Sequence, residues 1–296
     1  MVWIKTRNAV GQNSLFDSVR GNLNRLNSAT TAAASNVAST LISFDTDGFT
    51  FGNESGNNNN ETNVAWCWKA GNTWQSNIDG ATPSTVNANT ANGFSIVKWV
   101  GTANSQTTVG HGLSSTPELI ITKNLDTAAN DGWTVFTTSI GNDHTLFLNS
   151  TSAKSSSSGT WGSTSPTSSV FTVQDNASNN QSGNEIIAYC WHSVSGYSKI
   201  GTYTGNSSTG HSITGLGFQP NFVMIKRVDS NCSNSAFWFM FDSVRGAQYY
   251  LRANGNNAES AAADATLTSF DSDGFTVGND GCLNTGTMIY MAFKAN

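Results

Sequence analysis

The sequence predicts an all-β protein built from tandem antiparallel β-sandwich repeats. Two observations carry that prediction. Short runs rich in Val, Ile, Phe, Trp and Thr are broken by Gly, Asn, Ser and Asp clusters at intervals of about ten residues, the spacing of strands and turns in sandwiches. Segments such as GWTVFTT and GFTFGN alternate with period two, which puts aromatic and small polar residues on opposite strand faces. The Ala-rich stretches 27–40 and 257–269 are the candidates for helix, but Ser and Thr lower their propensity and neither carries an apolar stripe. Both are expected to be loops with at most one helical turn.

Taken in order, the strand segments occur in sets of three. WIKTRN (3–8) matches LIITKN (119–124) and VMIKRV (223–228). An aromatic segment follows each: SLFDSVRG (14–21), WTVFTTSIG (133–141) and WFMFDSVRG (238–246). Next come LISFDTDGFTFGN (41–53), the looser PTSSVFTVQD (166–175) and LTSFDSDGFTVGN (267–279). Each set closes on an aromatic strand: VAWCWKAG (64–71), IAYCWHSV (187–194) and IYMAFKAN (289–296). Self-similarity at this scale marks a repeated unit. The first and third copies are close relatives and the middle one has drifted.

These matches divide the chain into repeat 1 at 1–93, with a linker hairpin at 72–93, repeat 2 at 94–196 and repeat 3 at 197–296. Repeats 2 and 3 begin with an extra segment, FSIVKWVGTANSQTTVGHGLSSTPELIITK (94–123) and YSKIGTYTGNSSTGHSITGLGFQPNFVMIK (197–226). Repeat 1 lacks it. Three readings fit: the chain starts inside a repeat, it is a fragment of a longer protein, or a strand comes from elsewhere. An incomplete sandwich exposes a strand edge, which favours association with another chain.

Composition narrows the function classes. Only 11% of the residues are charged, against roughly 25% in ordinary globular proteins. The 9 Trp and 16 Phe recur inside apolar segments, which argues against disorder. A net charge of −5 offers no basic footprint for nucleic acid. No stretch has the ~18–20 apolar residues of a membrane span, and MVWIKTRNAV lacks the apolar region of a secretory signal. Of the 4 cysteines, Cys67 and Cys190 lie in strands beside Trp, and Cys232 and Cys282 in polar loops. Free thiols are the expectation, with a Cys232–Cys282 bridge as the alternative.

The run NIDGATPSTVNANTANGFSIVKWVGTANSQTTVGHGLSSTPELIITKN (77–124), with VAWCWKAG before it, resembles a repeat domain of virion proteins from marine tailed phages, those of cyanobacteria and other ocean bacteria. The pieces at 196–229 and 289–296 resemble a second repeat type of the same proteins. The resemblance implies concanavalin- or jelly-roll-like sandwiches in a tail fibre or other particle-surface protein. That protein would be made in the host cytoplasm and would be a homo-oligomer that meets other virion proteins and a host-surface glycan. A capsid decoration or head-fibre protein, or a secreted lectin-like adhesin, are the alternatives. No catalytic residues travel with the resemblance.

The candidate site residues each have a plain structural reading. Asp45 and Asp47 in FDTDGFT, and Asp271 and Asp273 in FDSDGFT, have the look of a calcium loop but lack the further oxygen ligands calcium needs. A hairpin turn is the first reading and calcium the alternative cofactor. Asp17 with Arg20, and Asp242 with Arg245, are expected to fix a turn ahead of Gly21 and Gly246. The alternating aromatics of VAWCW, IAYCW and IYMAF are expected in the core. Trp74, Trp161 and Tyr203, read as loop residues, are the candidates for surface or glycan contact. The four histidines form no metal-ligand spacing. The glutamates are not paired by any motif as glycoside hydrolysis requires, so no enzyme is expected.

Overall fold

The structure is a computed structural model that describes residues 1–52, 61–128, 132–156, 158–229, 232, 236–262 and 266–295. The chain is all-β, and its strands form sandwiches. The first strands are β1 (Val2–Thr6), β2 (Asn13–Asp17), β3 (Gly21–Asn27), β4 (Ser35–Asn36), β5 (Leu41–Phe44), β6 (Phe49–Phe51) and β7 (Asn63–Cys67). They make a five-stranded sheet ordered β4-β3-β2-β1-β7, faced by the β5-β6 pair.

The next set is β8 (Gln75–Asn77), β9 (Ser84–Asn89), β10 (Phe94–Val100), β11 (Thr107–Gly110), β12 (Leu119–Asn124), β13 (Trp133–Thr137), β14 (His144–Phe147), β15 (Ser155–Ser156), the short helix α1 (Ser158–Trp161), β16 (Val170–Val173) and β17 (Glu185–Trp191). Its main sheet runs β15-β14-β13-β12-β17-β10-β9-β8, and β11 pairs with β16 in the facing sheet. The last set is β18 (Ser198–Asn206), β19 (His211–Ile213), β20 (Phe222–Arg227), β21 (Phe239–Asp242), β22 (Tyr249–Arg252), β23 (Ser260–Ala261), β24 (Leu267–Asp271), β25 (Gly274–Val277) and β26 (Thr285–Phe293). Here the sheets are β23-β22-β21-β20-β26-β18 and β19-β25-β24.

The linker hairpin at 72–93 pairs with the second main sheet: β9 runs along β10 over Ser84–Asn89 and β8 adds outside it. The stretches 27–40 and 257–269 hold no helix among their described residues and contribute the two-residue strands β4 and β23 besides the ends of β3 and β24, while residues 263–265 lie outside the described residues. A helical turn lies at Ser158–Trp161. There Trp161 is held in the core against Phe136.

Each main sheet is apolar on both faces. One face meets its own small sheet, giving separate cores around Ile4 and Phe16, around Ile120 and Phe171, and around Ile225 and Phe275. The other faces share a single core that includes Trp3, Trp66, Trp133, Tyr189, Met224 and Met291. At its centre Trp68 packs edge-on against Trp191 and against Phe293, the matching residues of the other two closing strands. Burial on both faces explains why segments such as ELIIT and EIIAYCW read as continuous apolar runs rather than alternating ones.

Hydrogen bonds carry this arrangement round in a closed ring. The Trp133 indole donates to Asn27 O, the Trp238 indole to Phe147 O and the Asn13 amide to Arg252 O. In the opposite sense, across the same three junctions, Ala34 N donates to Leu125 O, Lys154 N to Val228 O and Glu259 N to Arg7 O. Three matching lysines, Lys5, Lys123 and Lys226, are fully buried. Lys5 and Lys226 cap carbonyls of the neighbouring sandwich, Gly255 O at 2.9 Å and Thr151 O at 3.1 Å. Lys123 caps Asn124 O at 2.8 Å.

Candidate functional site

Strand β17 is paired on both sides, by β12 and by β10, and β26 likewise by β20 and by β18. Their counterpart β7 is paired by β1 alone, and among the described residues no strand lies on its far side. The facing sheet repeats the difference. β16 is covered by β11 and β25 by β19, whereas among the described residues β6 has only β5. The first sandwich therefore has two open edges, one above the other, where each of the others holds a strand–loop–strand segment.

The side chains register the same gap. Phe171 is covered edge-on by Trp99 at 5.7 Å and Phe275 by Tyr203 at 6.2 Å, and both phenylalanines are buried. Phe49 occupies the matching place and is half-buried. Cys190 and Ala292 are buried under their covering strands, while Cys67 at the same position is exposed. Burial pushes the Cys190 thiol up.

A groove of about 610 Å3 runs along β7. Its floor includes Val64, Ala65, Trp66 and Trp68, and its far wall is made of Phe222, Phe293 and the turn Asp242–Val244 of the third sandwich. Val244 at the rim is 94% exposed.

The turn that forms that wall is built from one of the two predicted Asp–Arg pairs. Asp242 Oδ2 accepts Arg245 Nε at 2.5 Å, and Asp242 Oδ1 accepts Arg245 N at 2.9 Å. Asp17 and Arg20 repeat the arrangement at 2.6 and 2.9 Å. These pairs do more than hold a turn, because each also binds the next sandwich. The Trp66 indole donates to Asp242 Oδ2 at 3.1 Å, and the Tyr189 hydroxyl donates to Asp17 Oδ2 at 2.7 Å. Burial alone would raise the Asp17 carboxyl, but Arg20 beside it and the Tyr189 hydroxyl outweigh that and hold it below the ordinary carboxylate range. The third junction is apolar: Met291, matching Trp66 and Tyr189, shares a small void with Thr137 of the second sandwich.

The other predicted site residues are dispersed. Trp74 is 63% exposed on the 72–93 hairpin, as expected of a contact residue. Trp161 and Tyr203 are core residues instead. Trp161 is buried through α1 with its indole on Thr145 Oγ1, and Tyr203 points inward from β18 with its hydroxyl on Leu283 O at 2.6 Å. Their polar neighbours in sequence hid an inward-facing position. Both oxygens of Asp45 accept hydroxyls, from Ser43 at 2.7 Å and Thr50 at 2.8 Å. Asp271 takes Ser269 and Thr276 in the same way.

Asp273 accepts Gly217 N at 2.7 Å and Gly215 N at 2.9 Å, from the loop after β19, and these bonds hold its carboxyl below the usual value. Asp47, its counterpart, is exposed and accepts no hydrogen bond among the described residues. Among the described residues no group of three or more His, Cys, Asp or Glu side chains converges as a metal site. Cys232 and Cys282 form a disulfide, the alternative to the free thiols expected, with their Cα atoms 5.3 Å apart.

A family model described as Domain of unknown function (DUF7483) matches residues 1–243 and 231–295. The chain belongs to this family. No curated protein matches it, and no solved structure does. For this DUF7483 chain the most developed candidate site is thus a strand edge with an apolar floor, a surface suited to polypeptide backbone.

Proposed function

We propose that this DUF7483 protein is a structural component of a phage particle, working by assembly and surface contact, and most directly a tail fibre or appendage that meets the host. The observation that carries this reading is the kind of site the fold presents. An open strand edge above an apolar groove offers unpaired backbone N–H and C=O groups to another chain, which is how sheets are extended across subunits. The sequence resemblance to marine phage virion proteins points the same way. So does a surface rich in uncharged Ser, Thr and Asn, whose polarity does not rest on ion pairs that seawater would screen within a few ångströms. Trp74 is the side chain offered for host glycan, as a flat apolar ring in solvent.

The test is gold labelling of purified virions with an antibody against this chain. Label at the tail supports host contact. Label over the head makes the protein a capsid decoration. Intact particles without label return the secreted lectin-like adhesin to first place.

A further inference from the structure

We propose that the paired open edges of β7 and β6 are the seat of a strand–loop–strand segment outside residues 1–296, of the same chemistry as residues 198–217. The inference concerns what fills the edge and holds wherever the chain is located.

The chain itself shows the occupant in place twice. In the second sandwich β10 lies along β17 and β11 along β16; in the third β18 lies along β26 and β19 along β25. One segment thus closes the main sheet and the facing sheet together. The first sandwich keeps the receiving features of that segment without the segment. Gly274 sits so close under β19 that an added Cβ would lie 1.9 Å from Ile213 O, so only glycine fits there. Gly48 holds the same place, yet nothing lies within 4 Å of where its Cβ would be. Asp273 clamps two loop amides, whereas Asp47 presents the same carboxylate to solvent. Phe49 lacks the aromatic lid that Trp99 and Tyr203 supply to Phe171 and Phe275. Glycine, carboxylate and phenylalanine together are the imprint of a segment like that of the third sandwich; the second docks its own segment over Val170 by placing Gly110 opposite it.

The imprint specifies the occupant. Its first strand runs antiparallel to β7 and carries an aromatic side chain directed at Phe49. Its second strand covers β6 and passes over Gly48. The loop after it offers backbone N–H groups to Asp47, as the Gly215–Gly217 loop does to Asp273. A second copy of this chain is the weaker occupant. Giving up its own β10–β11 or β18–β19 would open an equal edge in the donor. Pairing β7 with β7 of another copy would leave Phe49, Gly48 and Asp47 uncovered.

The experiment uses the full chain and a fluorescent synthetic peptide of residues 197–221 as the hairpin probe. Cys67, exposed on the β7 edge, reports occupancy through its rate of alkylation by N-ethylmaleimide. Saturable binding that slows Cys67 alkylation at least tenfold, and that is lost in Gly48→Val, is the expected result. A fusion placing residues 197–221 directly ahead of Met1 covers the case of a peptide too disordered to bind. There Cys67 should be protected outright and Gly48→Val should expose it again. Unchanged Cys67 reactivity in both formats overturns the proposal. So does sedimentation showing that the chain alone dimerises with Cys67 protected, which would make the occupant a second copy.

Discussion

Removing the Arg20 guanidinium tests how the sandwiches are joined. Arg20 and Asp17 are buried, and the carboxylate also receives the Tyr189 hydroxyl of the neighbouring sandwich. Arg20→Met keeps the bulk of the side chain but leaves Asp17 as an unpaired buried charge, and losses of this kind run to about 3–5 kcal/mol. For a chain of this size that corresponds to a melting temperature lower by on the order of 10 °C.

The protein also contains the apolar alternative, because Thr137, Ile140 and Met291 stand where Asp17, Arg20 and Tyr189 stand at this junction. Thr137 Oγ1 already accepts Ser139 N, much as Asp17 Oδ1 accepts Val19 N, so the turn survives the exchange. The triple variant Asp17→Thr, Arg20→Ile, Tyr189→Met should therefore recover most of the loss. It should end within about 1–2 kcal/mol of the parent, since replacing a whole buried pair is often near neutral. Urea unfolding followed by tryptophan fluorescence measures both. A cost below about 1 kcal/mol for Arg20→Met, or a triple variant as weak as the single, would refute the assignment of the pair to the junction.

Three further outcomes are expected. Burial lowers Lys226 to about 7 and Lys5 and Lys123 to about 8, so the unfolded chain binds more protons above neutrality and stability rises with pH from about 7 towards 10. The unfolding free energy from urea titrations should climb over that range by up to about 3 kcal/mol for Lys226 alone, and Lys226→Met should flatten the slope. Gly274→Ala should destabilise by about 1–3 kcal/mol because its Cβ meets Ile213 O, while Gly48→Ala, in open space, should fall within about 0.5 kcal/mol of the parent by the same unfolding assay. Reducing Cys232–Cys282, which are separated by 50 residues, should cost about 4 kcal/mol by the loop-entropy relation, read as a lower melting temperature in reductant.

How far the sequence disclosed this protein depended on whether a signal was local. Strand segments were legible because Val, Ile, Phe and Trp runs such as VAWCW, IAYCW and IYMAF stand between turn clusters. The shared core was not. It depends on the second face of each main sheet, and only the continuous apolar runs hinted that both faces were covered. Trp161 and Tyr203 were misplaced for a related reason: inward or outward direction is set by register, and polar neighbours do not fix it. The reach of Asp17 and Asp242 into the next sandwich lay beyond any local spacing, since Asp17 and Tyr189 are 172 residues apart.

The closure of the ring has a consequence for biosynthesis. Residues of the first strand region are tied to the third sandwich, Arg7 to Glu259 and Lys5 to Gly255. At ribosomal rates of roughly 5–20 residues per second, the partner strand emerges on the order of tens of seconds after the first one. Through that interval Trp66 and Trp68 lack Phe222 and Phe293 of the last sandwich, on which they pack. Proteins whose contacts span such separations fold slowly, and a chaperone that shields the tryptophan face during synthesis should raise soluble recovery more than one added afterwards.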